Sequence, residues 1–156
     1  MVQTTVNLYP ALGFPGQQAA FNQAVYTPEN YLSDGTVVAG GFAFASTATY
    51  TGTAAPQLVA SNKGTTLLGL VERVISAEID LGEPAKYLAG EELTIAIKGD
   101  YYIAAPSDAT VGQKVLVNGT TGAISLGASA TTGTTDTGWT VTKAGAEGDM
   151  IIISNH

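Results

Sequence analysis

GWTVTKAGAEGDMIIISN, residues Gly138–Asn155, is the stretch that decides the fold of this chain. Gly138–Thr142 and Asp149–Ser154 are short, rich in β-branched residues, and joined by the small polar link Lys143–Gly148. Such residues suit a pleated, half-buried surface better than a helix. Strand alternation puts Trp139 and Val141 on one face, and that face is expected to enter the core. The two runs read as the last strands of an all-β domain.

Upstream the same grammar repeats. Gln113–Val117 and Ala123–Leu126 flank Asn118–Gly122, and an Asn-Gly step between apolar runs is a strong hairpin signal. Gly127–Thr137 is small and polar and reads as a loop. In Glu92–Lys98, Leu93, Ile95 and Ile97 fall on one face and Thr94 and Lys98 on the other, with Ala96 neutral. Gly99-Asp100 reads as the turn of a hairpin into Tyr101–Ala104. Thr66–Ile75 is a further strand. So is Thr36–Phe44, whose Gly40-Gly41 pair signals a bulge or a close backbone approach. Glu72–Leu81 has some helical spacing, but its β-branched residues and Gly82-Glu83-Pro84 argue against a helix. Strands at this spacing imply one sandwich or barrel over residues 36–156.

Residues 1–35 differ. They hold three of the six prolines, four glutamines and frequent aromatic residues. They read as an extended N-terminal arm that docks on a partner or neighbouring subunit, or else as a strand and loop wrapped on its own domain. The candidate interface residues are Leu8, Tyr9, Phe14, Phe21, Tyr26 and Tyr31. A short helix over Gly16–Val25 is a further expectation, because Phe14, Phe21 and Val25 share a helical face.

Composition excludes several functions. The net charge is −7, and the six basic residues, Lys63, Arg73, Lys86, Lys98, Lys114 and Lys143, are spread singly. Counterion release from nucleic acid needs basic clusters, so neither nucleic acid nor an anionic membrane is an expected partner. There is no Cys, and the single His is His156. Thiolate metal sites, disulfides and a Ser-His-Asp triad therefore have no basis. The start MVQTTVNLYPALG lacks the pattern of a signal peptide, and no apolar run reaches the length of a membrane helix; synthesis in a cytoplasm is expected.

The remaining polar clusters fit ordinary structure. Glu91-Glu92 would point to opposite faces of a strand and reads as a solvated pair. Asp100, Asp108, Asp136 and Asp149 accompany turn signals, where Asp accepts from backbone donors, and no EF-hand spacing links them to calcium. Ser61-Asn62-Lys63-Gly64-Thr65 lacks the spaced glycines of a phosphate loop, and Asn118-Gly119-Thr120 reads as a turn before it reads as a glycosylation site. No catalytic residue, cofactor or metal ligand set is assigned, and the chain is read as a non-enzyme.

Several Gly-plus-hydrophobe motifs recur along the chain. They are Gly13-Phe14-Pro15-Gly16, Val38-Ala39-Gly40-Gly41-Phe42, Leu68-Gly69-Leu70-Val71-Glu72-Arg73, Lys98-Gly99-Asp100-Tyr101, Gly112-Gln113-Lys114-Val115, Gly138-Trp139 and Gly148-Asp149. With these the chain resembles the cement, or decoration, proteins of tailed-bacteriophage heads. The resemblance implies a jelly-roll-like sandwich or small barrel. It implies a virion structural protein on the outer surface of an icosahedral shell, made in the bacterial host cytoplasm. Its implied partners are the major capsid protein, whose adjacent subunits it clamps, and itself, as a homodimer or homotrimer. The rival reading is a glycan-binding or adhesive β-module, which requires an exposed aromatic platform at Tyr101, Tyr102 or Trp139.

Overall fold

The computed structural model describes residues 13–20, 22–50, 57–74 and 84–156. The strands are β1 (Val25–Tyr26), β2 (Tyr31–Ser33), β3 (Phe42–Tyr50), β4 (Gln57–Ser61), β5 (Leu67–Val71), β6 (Glu92–Leu93), β7 (Ile95–Ala104), β8 (Lys114–Asn118), β9 (Ile124–Gly127), β10 (Thr134–Lys143) and β11 (Met150–Asn155). The described residues contain no helix, and the all-β expectation holds. The strands hydrogen-bond in the order β6-β2-β4-β3-β5-β7-β11-β10-β8-β9, with β1 paired separately to β7. β2 runs parallel to β4, and the other pairings are antiparallel.

β7 belongs to both halves of this sheet. Ile95 and Ala96 pair with β5, whereas Gly99–Ala104 pair with β11. The two halves then fold face to face over one core. Phe42, Phe44, Leu70 and Ala96 come from one half, and Tyr101, Ile103, Val115, Val117, Trp139, Val141, Ile151 and Ile153 from the other. A second core lies on the reverse face of the first half, with Tyr31, Val37, Ala43, Val71, Tyr87, Leu93 and Ile95. Phe42, Ala43 and Phe44 thus alternate between two buried faces, as a period of two requires. Trp139 is fully enclosed and meets Tyr101 edge-on, with ring centroids 5.8 Å apart at 72°. Val141 is buried beside them, as its alternation with Trp139 predicts.

Five local expectations need correction. Gly99-Asp100 is no hairpin turn: both residues lie inside β7, paired with Asn155 and Ser154. Ala96 and Tyr101 face the same core although they are an odd number of positions apart, so the alternation slips once between them, at Gly99 (φ 136°). Ile97 is exposed instead of buried with Leu93 and Ile95, because it lies past the edge of the second core. Gly16–Val25 is not helical in its described residues; hydrogen bonding to β7 overrides the weak helical spacing. The strand read at Thr36–Phe44 begins only at Phe42, after a turn closed by Gly41 N–H donating to Val38 O. That read at Thr66–Ile75 is Leu67–Val71, and Ile75 lies outside the described residues. The Asn118-Gly119 hairpin is present, joining β8 to β9.

Candidate interaction surface

Phe14-Pro15-Gly16-Gln17 carries Pro and Gly at the two positions a type II turn favours. The turn forms, with Gln17 N–H donating to Phe14 O at 3.0 Å and Gly16 at φ 79°. Beyond it the chain lies along β7. Gly16 N–H donates to Tyr102 O (2.8 Å), Tyr102 N–H to Gln17 O (2.9 Å) and Ala19 N–H to Asp100 O (2.7 Å). Farther on, β1 pairs with the first half of β7, and β2 inserts between β4 and β6. The described part of residues 1–35 is therefore hydrogen-bonded to the domain along most of its length.

The candidate interface residues occupy different environments. Phe14 is 54% exposed, and its ring lies 4.5 Å from the Arg73 guanidinium carbon. This contact contributes about 0.5–1 kcal/mol at an exposed site. Tyr26 is 40% exposed, with its hydroxyl turned inward, 3.4 Å from that of Tyr101. Tyr31 is buried in the second core, and its hydroxyl donates to Glu29 Oε2 at 3.3 Å. Leu8, Tyr9 and Phe21 lie outside the described residues. Val25, which sequence reasoning assigned to a helix face, is exposed beside Tyr26. Phe14, Val25 and Tyr26 are thus the apolar groups that this segment turns outward.

Two polar networks hold the segment down. The Tyr101 hydroxyl donates to Glu72 Oε2 at 3.2 Å, and burial pushes its phenol well above the ordinary range, so the donor stays protonated. The Asp100 carboxylate, only 7% exposed, accepts from Asn22 Nδ2, Ser154 Oγ and His156 Nε2. It therefore joins the N-terminal segment to β11. Burial alone would raise the Asp100 pKa, but hydrogen bonds from Ser154, Asn22 and His156 outweigh it and hold the pKa below 3.8. Unfolded Asp titrates near that ordinary value, so this stabilisation is complete above it and is lost as pH falls through the lower folded value. Acidification through that lower value is accordingly expected to reduce the protection of the Ala19 amide, which donates to the Asp100 carbonyl, when exchange is read against the intrinsic rate at each pH, and to do so less in Asp100→Asn.

No group of His, Asp or Glu suited to a metal ion occurs among the described residues. Nor do Tyr101, Tyr102 and Trp139 form the exposed aromatic platform that a glycan-binding module needs. Trp139 and Tyr101 are buried, and Tyr102 packs so closely on Gly13 that a Cβ there would lie 2.4 Å from its ring.

A chain of "The capsid of Myoviridae Phage XM1" superposes with a TM-score of 0.53 at 12% identity, covering 98% of this chain and 93% of that one. This likeness supports the fold. A search of curated proteins finds no match. The family model described as structural cement protein (E217 gp24/Pam3 gp6) matches residues 2–155. The chain therefore belongs to the phage structural cement proteins and is a structural component of the virion, located on the capsid.

Proposed function

We propose that the protein stabilises the phage head from its outer surface by bridging adjacent major capsid protein subunits, with residues 1–35 as the clamp. The observation that carries this reading is the N-terminal segment, fastened along β7 yet turning Phe14, Val25 and Tyr26 outward. Leu8, Tyr9, Phe14, Phe21 and Tyr26 supply the contact in this account, and Tyr31 anchors the segment to the sheet. A net charge of −7 disfavours a place against packaged DNA and favours the outer face. Binding to assembled shells alone shifts the equilibrium against disassembly by mass action. Self-association as a dimer or trimer at a lattice axis would make several weak contacts act together.

Deletion of residues 1–12 leaves every described contact in place and removes Leu8 and Tyr9. We expect it, and Phe14→Ala, each to weaken binding to undecorated shells by about tenfold, equivalent to roughly 1.4 kcal/mol. Thermal stability should change little in Phe14→Ala, because Phe14 is half exposed. Wild-type binding by both variants, measured by co-sedimentation, would end the clamp account.

A further inference from the structure

The long sheet ends on β9, and among the described residues no strand pairs with its outer edge. Asn118 N–H donates to Ala123 O, which makes 118 and 123 a hydrogen-bonded pair at the mouth of the β8–β9 hairpin. Pairs of this kind alternate in an antiparallel ladder. The register Leu116↔Ser125 and Lys114↔Gly127 therefore turns the backbone groups of Ser125 and Gly127 towards β8. Those of Ile124 and Leu126 point away from the sheet, and neither residue makes any other hydrogen bond among the described residues.

Natural sheets blunt such edges with charge, proline or extreme shortness. The opposite edge follows that rule: β6 has two residues, one of them Glu92, and Glu91 precedes it. The β9 edge does not. From Val115 to Thr135 there is no charged residue and no proline, although 12% of the chain is charged. Ile124 also lines an apolar cavity of about 250 Å³ together with Pro15, Gly40, Ile103 and Pro106. An open ladder beside an apolar cavity is the arrangement by which a sheet recruits a strand: backbone bonds supply affinity and the cavity takes a side chain.

We propose that the β9 edge takes up an extended, uncharged segment of a capsid subunit by strand addition, with one apolar side chain entering the cavity behind Ile124. This inference rests on the cement reading and names a second contact surface for it, apart from the N-terminal segment. A lattice subunit fits better than a free second copy for a reason of size. Four residues of edge fall far short of the roughly 1,200 Å² that a stable independent pair of proteins buries. On a lattice the same small contact is effective, because other contacts hold it at high local concentration.

The test uses the full chain and undecorated shells. Leu126→Pro removes an outward N–H without touching the bonds to β8, and Ser125→Lys places a charge on the edge. Each should weaken shell binding about tenfold, the loss of roughly 1.4 kcal/mol of edge pairing. Circular dichroism should remain that of the wild type for Ser125→Lys. In the wild-type protein, shell binding should slow amide exchange at Ile124 and Leu126. Unchanged exchange there, or wild-type binding by Ser125→Lys, overturns the proposal. So does loss of a solution dimer in Ser125→Lys, which would give the edge to a second copy. If deletion of residues 1–12 and Phe14→Ala both leave binding intact while Ser125→Lys weakens it, the clamp account fails and the β9 proposal stands; failure of shells to bind wild-type protein removes both.

Discussion

Replacement of Trp139 by alanine is expected to destabilise the fold by about 3–5 kcal/mol, the range for emptying a large aromatic site in a close-packed core. Trp139 is 1% exposed and sits where the two halves of the sandwich meet. Its edge-on contact with Tyr101 adds about 0.5–1.5 kcal/mol beyond the area buried. It shares its core with Val115 of β8 and Ile151 and Ile153 of β11, the two strands paired on either side of β10, which cannot close on the space without disturbing their ladders. Domains of this kind have only about 5–15 kcal/mol in total, so the variant should be partly unfolded at physiological temperature. Urea denaturation followed by far-UV circular dichroism measures the loss; Trp139→Phe should recover much of it.

Gly40→Ala is expected to cost about 2–4 kcal/mol, combining left-handed backbone strain with overpacking. Gly40 has φ 75°, and a Cβ there would lie 2.7 Å from Pro15 Cβ and 2.8 Å from Gly16 N. Gly16 is the reciprocal partner, with φ 79° and a Cβ position 2.6 Å from Gly40 N. The two backbones touch because neither residue has a side chain. Relief requires the Phe14–Gln17 turn to lift from the sheet, which breaks the bonds from Arg73 N–H to Gly16 O and from Gly16 N–H to Tyr102 O. Limited proteolysis should therefore cut near residues 13–20 faster in the variant while the core stays folded. The effects of Gly16→Ala and Gly40→Ala should be strongly non-additive, because either substitution alone lifts the same turn. Additive losses in urea denaturation would contradict this picture.

The parts of the fold legible in the sequence are those fixed by short-range chemistry. Asn118-Gly119 set a hairpin, and the alternation of Trp139 with Val141 marked a core face, because turn type and pleat act over a few residues. Gly40-Gly41 was readable as a bulge or a close approach, and it is the close approach to Gly16 that the structure has. Gly99-Asp100 misled for the converse reason. Its apparent turn signal serves a strand that passes from one half of the sheet to the other, and the partner that holds Asp100, Ser154, is 54 residues away. No local pattern reports such a contact. The helix suggested over Gly16–Val25 failed on the same ground: its apolar spacing was real, but an isolated helix of ten residues is marginal in water, and the backbone of β7 offers the segment hydrogen bonds instead.

The candidate surface was legible only in part. The aromatic residues of the first 35 positions drew attention to the segment, and Phe14 and Tyr26 are exposed on it. The burial of Tyr31 was not visible, because it depends on β2 inserting between β4 and β6, which are distant in sequence. The open β9 edge was invisible for another reason. Being last in the sheet order is a property of topology, and the uncharged run from Val115 to Thr135 gains meaning only once that position is known.

The most direct test of the central claim is co-sedimentation of the full chain with undecorated heads, read as copies bound per shell together with the temperature at which the shells come apart. Bridging from the outer surface predicts saturation at a fixed ratio to the major capsid protein and a higher disassembly temperature at saturation. Binding that never saturates, or saturation that leaves the disassembly temperature unchanged, would contradict it.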